Sequence, residues 1–403
     1  MEFNSSLVGK IVDPIHGIIR LSELEVDVID HPLFQRLRNI KQNTFVYKVF
    51  PSAMHSRFEH SLGVMHLSYE IFKNLMLNSH RCKSADVNIF KGITDIDEKH
   101  IQELRLAALL HDIGHGPMSH DFDSIMCKKG YLKDALGDDF DDVFNMTDSK
   151  ITHEHVSIIL IKIIFKTIST EKANLVNIDN IIKMIESGYK DKKIDVTVND
   201  SVFDMLPLFT SIISSCPLDA DRMDYLLRDS YFAGVKCGVY DYDRLFMSII
   251  PIMENNKVFL AYKESGIDSL VDFINSRASL FMQVYYHKTN RIFSTMFSTA
   301  CNIVKPPKND SNKTLDLFEF KNNSPEYNLE IFEKFYIDNS DAFFLRETLP
   351  NLASESAKER IDPILQRLIE RKPWVKVYES IRYNDSAEIN DTENEDFVKK
   401  IEG

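Results

Sequence analysis

The stretch HDIGHGPMSHDFD, residues 111–123, places three histidines and three aspartates in thirteen positions, interrupted by two glycines and a proline. A single histidine or aspartate at a helix end is usually a solvated group interacting with the helix dipole, and Gly-x-Gly-Pro makes an ordinary turn. Six titratable groups together resist that reading. His111 and Asp112 directly follow the apolar run LRLAALL. Burying an imidazole and a carboxylate at the end of a core helix carries a desolvation cost, which a divalent metal ligated by both would offset.

Two ligands do not complete a metal site, so others must arrive from separate helices. His60, in HSRFEHSLGV, precedes the apolar run, and Asp221, in LDADRMDYLLRD, follows it. On a helix, Asp221, Tyr225 and Asp229 stack on one face with Arg222 beside them. Carboxylate, phenol, guanidinium and a second carboxylate can then face one cleft.

The elements that must position these groups are helical. Leu62, Met65, Tyr69, Phe72 and Met76 recur at three- and four-residue steps, and Ile101, Leu104 and Ala108 belong to a helix apolar nearly all round. LVGKIVDPIHGIIRLS predicts a short N-terminal hairpin, and NKVFLAYKE a strand. The acidic stretch KKGYLKDALGDDFDDVFNMTDSK (128–150) reads as an irregular excursion, and residues 269–304 as one or two long helices. With 44% hydrophobic residues and only 13 Gly and 13 Pro in 403, the expected fold class is mainly α. The expected organisation is a domain over 1–304, a smaller helical lobe over 315–380 and an acidic, flexible tail over 381–403.

A formal net charge of −13 argues against a general nucleic-acid binder, yet a few cations focused in a cleft can hold a phosphate-bearing small molecule. Five cysteines without a CxxC pair indicate neither a disulfide framework nor a cysteine zinc module. The N-terminus has no signal-peptide pattern, and SIILIKIIF is broken by Lys162, so neither secretion nor a membrane span is expected and the location expected is cytoplasmic.

The ordered set His60, His111-Asp112, Asp221 resembles the H…HD…D signature of the HD-domain metal-dependent phosphohydrolases. FQRLRNIKQ, RFEHSLGV, LLHDIGHGPMSHDFD, THEHVS and DRMDYLLRDSYFAGV resemble its deoxynucleoside triphosphate triphosphohydrolase (dGTPase-like) branch, over about residues 7–300. An animal member of that branch carries a SAM domain ahead of its HD domain; none is expected here. The resemblance implies an HD helical bundle and one divalent ion (Fe, Mn, Zn or Mg) on His60, His111, Asp112 and Asp221, with further Mg accompanying the nucleotide phosphates. It implies His120 as general acid, supported by His115, Asp123 and His153. Arg57 and Arg222 would grip phosphates, Gln42, Tyr225 and Asp229 would meet the sugar, and Arg277 and Tyr285 would complete the pocket.

The same resemblance implies cleavage of dNTPs to deoxynucleoside and inorganic triphosphate. It also implies activation by GTP or dGTP at a contact within a homo-oligomer, dimer or tetramer. Lys10, Asp30, Gln35 and Arg38 match positions for a guanine nucleotide, and Arg244, Lys263 and Lys288 match phosphate contacts of a neighbouring activator. Four positions depart from the animal pattern: Arg222 stands for a Lys, Asn43 for a Leu, Tyr286 for a Gln and Ser265 for a Lys. Arg36 and Arg38 also read as an exposed helix face. The alternatives are an HD phosphohydrolase acting on nucleoside monophosphates or phosphodiesters, and a non-catalytic nucleotide sensor.

Overall fold

The computed structural model describes residues 7–375 apart from 83–87, 124–128, 138–139, 141–142, 144–150, 187–188, 215–216, 305–316, 319 and 322–323. The chain is mainly α, as its composition implies. It opens with the expected hairpin, β1 (Leu7–Asp13) and β2 (Gly17–Ser22), antiparallel with Lys10 opposite Arg20.

Four helical segments build the centre. α1 (Arg57–Arg81) starts at a capping box in which Ser56 and Glu59 satisfy each other's backbone ends, so Arg57 and His60 fall on its first turn. α2 (Glu98–Leu110) is buried from Ile101 to its last residue and delivers His111 at its C-terminal cap. After the turn through Ser119, α3 (His120–Asp123) is one helical turn, and α4 (His153–Thr167) begins on His153. Gly114 lets α4 approach this turn: a Cβ there would lie 1.9 Å from the His153 carbonyl oxygen.

The structure contains strands the sequence reading passed over. β3 (Asp195–Val198) and β4 (Ser201–Asp204) form a hairpin through Asn199 and Asp200, both at positive φ. α5 (Ala220–Ala233) then carries Asp221, Tyr225 and Asp229. The strand expected near residue 260, β6 (Lys257–Tyr262), pairs antiparallel with β5 (Ile249–Glu254) and parallel with β4, in the order β3-β4-β6-β5.

The long apolar stretch from 269 is two helices, α6 (Ile267–Leu280) and α7 (Lys288–Val304), separated by a π-helical turn. C-terminal helices include Pro325–Asp338, Asp341–Phe343 and Glu355–Ile369. Within the expected excursion, Lys129–Leu136 is helical rather than irregular. Residues up to Pro373 belong to one compact unit and Trp374 begins a second. The tail 381–403 lies outside the described residues. Among the described residues no helix is long and apolar enough to cross a membrane.

Candidate metal centre and active site

His60 and His111 present their rings to each other, with centroids 5.4 Å apart. Each fixes its tautomer from behind. His60 Nδ1 lies 2.7 Å from Asp224 Oδ2, and His111 Nδ1 lies 2.8 Å from the Ala108 carbonyl oxygen. With Nδ1 donating, each Nε2 keeps its lone pair. Both Nε2 atoms are buried and without a hydrogen-bond partner. Metal-ligating histidines are commonly held in this way.

Ligand atoms of His60, His111 and Asp112 all lie within 4.8 Å of one another. Asp221 adds an oxygen 3.1 Å from His60 Nε2 and 3.9 Å from His111 Nε2. Burial would lower the His60 pKa, but Asp221 and Asp224 on its two sides raise it to about 10. This centre therefore calls for positive charge. Burial opposes ionisation of Asp112, yet His111, Arg57 and His115 hold its carboxyl well below the usual range. Two imidazoles offering Nε2 and two carboxylates suit a divalent ion, whose charge would take the place of the proton that Asp221 and Asp224 favour on His60, and do not distinguish Fe, Mn, Zn or Mg.

Asp224 is the hub behind this centre. It is fully buried and also meets His16 Nε2 at 2.6 Å, while Arg228 donates to both its oxygens at 2.8 and 2.9 Å. Arg228 also donates to Asp13 at 2.8 Å, and Asp13 Oδ1 accepts from the backbone of Ile15 and His16. The hairpin turn thus reaches the metal candidate through one carboxylate. Gly63 makes the approach possible, since a Cβ there would overlap Asp224 Oδ1 at 1.8 Å.

His115, His120, Asp123 and His153 form the second cluster. His115 and His153 stack at 3.8 Å, and His120 stands edge-on to His115 at 4.5 Å. Burial, Arg57 and His153 keep His115 well below the usual imidazole range, so it is neutral. Burial opposes charge on His153, but Asp123, 3.1 Å from its Nδ1, raises its pKa. His120 is the exposed member and lines a cavity of about 440 Å³ that also reaches His111, Asp112 and Asp221.

That cavity brings together most of the sugar-side residues the sequence singles out. Gln42, Tyr225, Asp229 and Tyr285 line it, as does Arg57, whose Nη1 donates to Asp112 Oδ2. Asp229 accepts from Asn43 at 2.9 Å and from the Tyr285 hydroxyl. Arg222 is turned to Asp219, and Arg277 donates to Tyr225 at 2.9 Å; neither is among the residues lining the cavity. Arg291, which sequence reasoning did not single out, does line it.

Other functional neighbours also escaped the sequence. His55 lies 2.6 Å from Asp229, and its signal was its place two residues before Arg57. Arg36, read as part of an exposed face, is buried: it donates to the His115 and Ile113 carbonyls and bolts the H-D-I-G-H turn, and burial lowers its pKa to about 10.

The residues matched to activator positions lie on several elements. Lys10 is exposed on β1, Asp30 ends the helix Glu23–Asp30, and Gln35 accepts from Arg38, which covers the Phe58 ring at 3.5 Å. Arg244 and Lys288 are exposed, and Lys263 donates to the Met247 carbonyl at 2.9 Å.

Comparison with known proteins agrees with this geometry. The HD domain family matches residues 57–229, which span His60, His111, Asp112 and Asp221. Protein MJ1154 of Methanocaldococcus jannaschii is 34% identical over 288 residues, 72% of this chain and 48% of the relative. YwfO of Bacillus subtilis is 32% identical, over 69% of this chain and 52% of the relative. The human deoxynucleoside triphosphate triphosphohydrolase SAMHD1 is 30% identical, over 72% of this chain and 43% of the relative. The chain thus spans about half the length of these relatives. By its HD domain and these relatives, the chain belongs to the HD-domain family of deoxynucleoside triphosphate triphosphohydrolase-like proteins.

Proposed function

We propose that the protein is a metal-dependent phosphohydrolase that cleaves a dNTP into deoxynucleoside and inorganic triphosphate, with a guanine nucleotide as activator at a contact between copies. The observation that carries this reading is the pair of buried, unpartnered Nε2 atoms of His60 and His111 beside Asp112 and Asp221. Relatives named deoxynucleoside triphosphate triphosphohydrolase support the substrate class.

Bound by these four residues, a divalent ion would supply polarisation of a phosphate oxygen and of water. The residues of the chain do the rest. Water attacks the α-phosphorus, the bond from phosphorus to the 5′-oxygen breaks, and His120 gives that oxygen its proton. Asp123 and His153 hold the imidazoles around it, and neutral His115 packs beneath them. Arg57 and Arg291 are the cations at the cavity wall for phosphate oxygens, and Asp229 with Tyr285 meets the sugar. Gln42 beside the ribose favours a deoxy sugar by steric fit.

Because Arg222 and Arg277 are engaged by Asp219 and Tyr225, a second reading has a substrate with fewer phosphates. Product analysis separates the two. The protein is incubated with each dNTP and NTP, alone and with GTP or dGTP, in Mn²⁺ or Mg²⁺, and the products are resolved. Deoxynucleoside with intact triphosphate supports the first reading. Cleavage confined to monophosphates or phosphodiesters replaces it with the second, and no cleavage at all leaves the sensor alternative.

A further inference from the structure

Besides the packing of Phe335 and Phe344 on Phe122 and of Tyr336 on Arg36, the C-terminal helices reach the site through one carboxylate. Asp341 opens the three-residue helix Asp341–Phe343, and both its oxygens are used: Oδ1 accepts from the Met118 backbone N–H at 2.7 Å and Oδ2 from that of Lys41 at 2.8 Å. The first amide belongs to a strained pair. Met118 and Ser119 both adopt positive φ, 68° and 52°, in a region non-glycine residues rarely occupy. Such backbone persists only where its surroundings over-determine it.

The hydrogen bonds around the pair form a closed ring. Ser119 Oγ donates to the Lys41 carbonyl at 2.7 Å, so Lys41 is tied to Asp341 by its N–H and to Ser119 by its oxygen. Thr44 Oγ1 donates to the Met118 carbonyl at 2.8 Å. Ser119 Oγ also accepts from Arg57 Nε at 2.9 Å, and Arg57 grips Asp112 from its other end. His120 follows the strained pair directly, so its direction is set by that turn.

We propose that Asp341 is a positioning residue for the active site, clamping the Met118–Ser119 turn to Lys41 and thereby setting the direction of His120 and the seat of Arg57. The site on the HD domain then depends on a side chain well beyond residues 57–229. The part of this inference that concerns turnover rests on the proposed function, whereas the clamp itself can be read without it.

The test uses the full chain as Asp341→Ala and Asp341→Asn, with Ser340→Ala as the control. Ser340 caps the same short helix by accepting from Phe343 N, and its loss leaves both carboxylate bonds in place. Hydrogen exchange of the segments holding Lys41 and Met118, metal content, kcat and KM are measured for each. In Asp341→Ala both amides exchange at least about tenfold faster, and kcat falls about 10–100-fold at unchanged metal content. Asp341→Asn keeps one acceptor, so one of the two amides stays protected; this variant decides should the alanine fail to fold. Ser340→Ala lowers the thermal midpoint while leaving these amides and kcat as in the wild type.

Retained protection of both amides in the Asp341 variants overturns the clamp, as does an equal fall in kcat in Ser340→Ala. If the wild type cleaves no nucleotide, the functional reading fails by itself, and the amides still decide whether the clamp exists.

Discussion

Asp224 shows how a residue that touches no substrate can govern a metal candidate. It fixes His60 Nδ1 at 2.7 Å and so points Nε2 at the centre. Asp224→Asn, measured by metal titration of the folded variant, is expected to weaken metal affinity about 10–100-fold. Unchanged affinity would mean that the backbone of α1 alone aims the ring. The Asp123–His153 pair makes a prediction about pH. His153 is raised above 6.5, so its share of the stability is full below 6.5 and is lost as pH rises through its folded value. Asp123 is lowered below 3.8, so its share is present above 3.8 and is lost only in stronger acid. The gap in thermal midpoint between wild type and Asp123→Asn should therefore be widest between 3.8 and 6.5 and narrow as pH rises through the raised value of His153. His60, His111, Asp112 and Asp221 were legible in the sequence because titratable groups stood against apolar runs. Asp224, His16 and His55 were not, because their partners lie 164, 208 and 174 residues away and nothing local marks the pairing.

At the scale of elements, the long helices were legible because burial on one face imposes a 3.6-residue period, as in α1 and α2. The strands from β3 to β5 were harder to read. They are short, and their turns, Asn199-Asp200 and Asn255-Asn256, use non-glycine residues at positive φ. The helix Lys129–Leu136 was hidden by a glycine at its second position and a high charge content. The packing of α4 onto the H-D-I-G-H turn depends on Gly114, which also donates to Ser157 Oγ at 2.9 Å while Ser157 donates to the His111 carbonyl at 3.1 Å. Gly114→Ala puts a methyl into backbone that cannot yield easily, at a cost of roughly 1–3 kcal/mol. The expected result is a lower midpoint of thermal unfolding together with a loss of turnover larger than the midpoint alone explains, because His153 moves with α4. Turnover that survives with only the midpoint lowered would separate α4 from the chemistry.

For the whole molecule, a net charge of −13 surrounds a cavity whose cations are few and focused, which suits a small anionic ligand better than a polyanion. The proposed activation by a guanine nucleotide would engage the surface rather than this cavity. Asp30→Ala should abolish the response of turnover to GTP while leaving metal content unchanged, as read by rate against GTP concentration and by sedimentation with and without GTP. A response that persists would remove Asp30 from the activator site. In the proposed function, His60, His111, Asp112 and Asp221 hold the metal on which hydrolysis depends. This assignment is tested most directly by measuring metal per chain and triphosphate release together in the wild type and in His111→Ala. Both are expected to fall together in His111→Ala, with the fold retained. Full metal content and full turnover in that variant would contradict it.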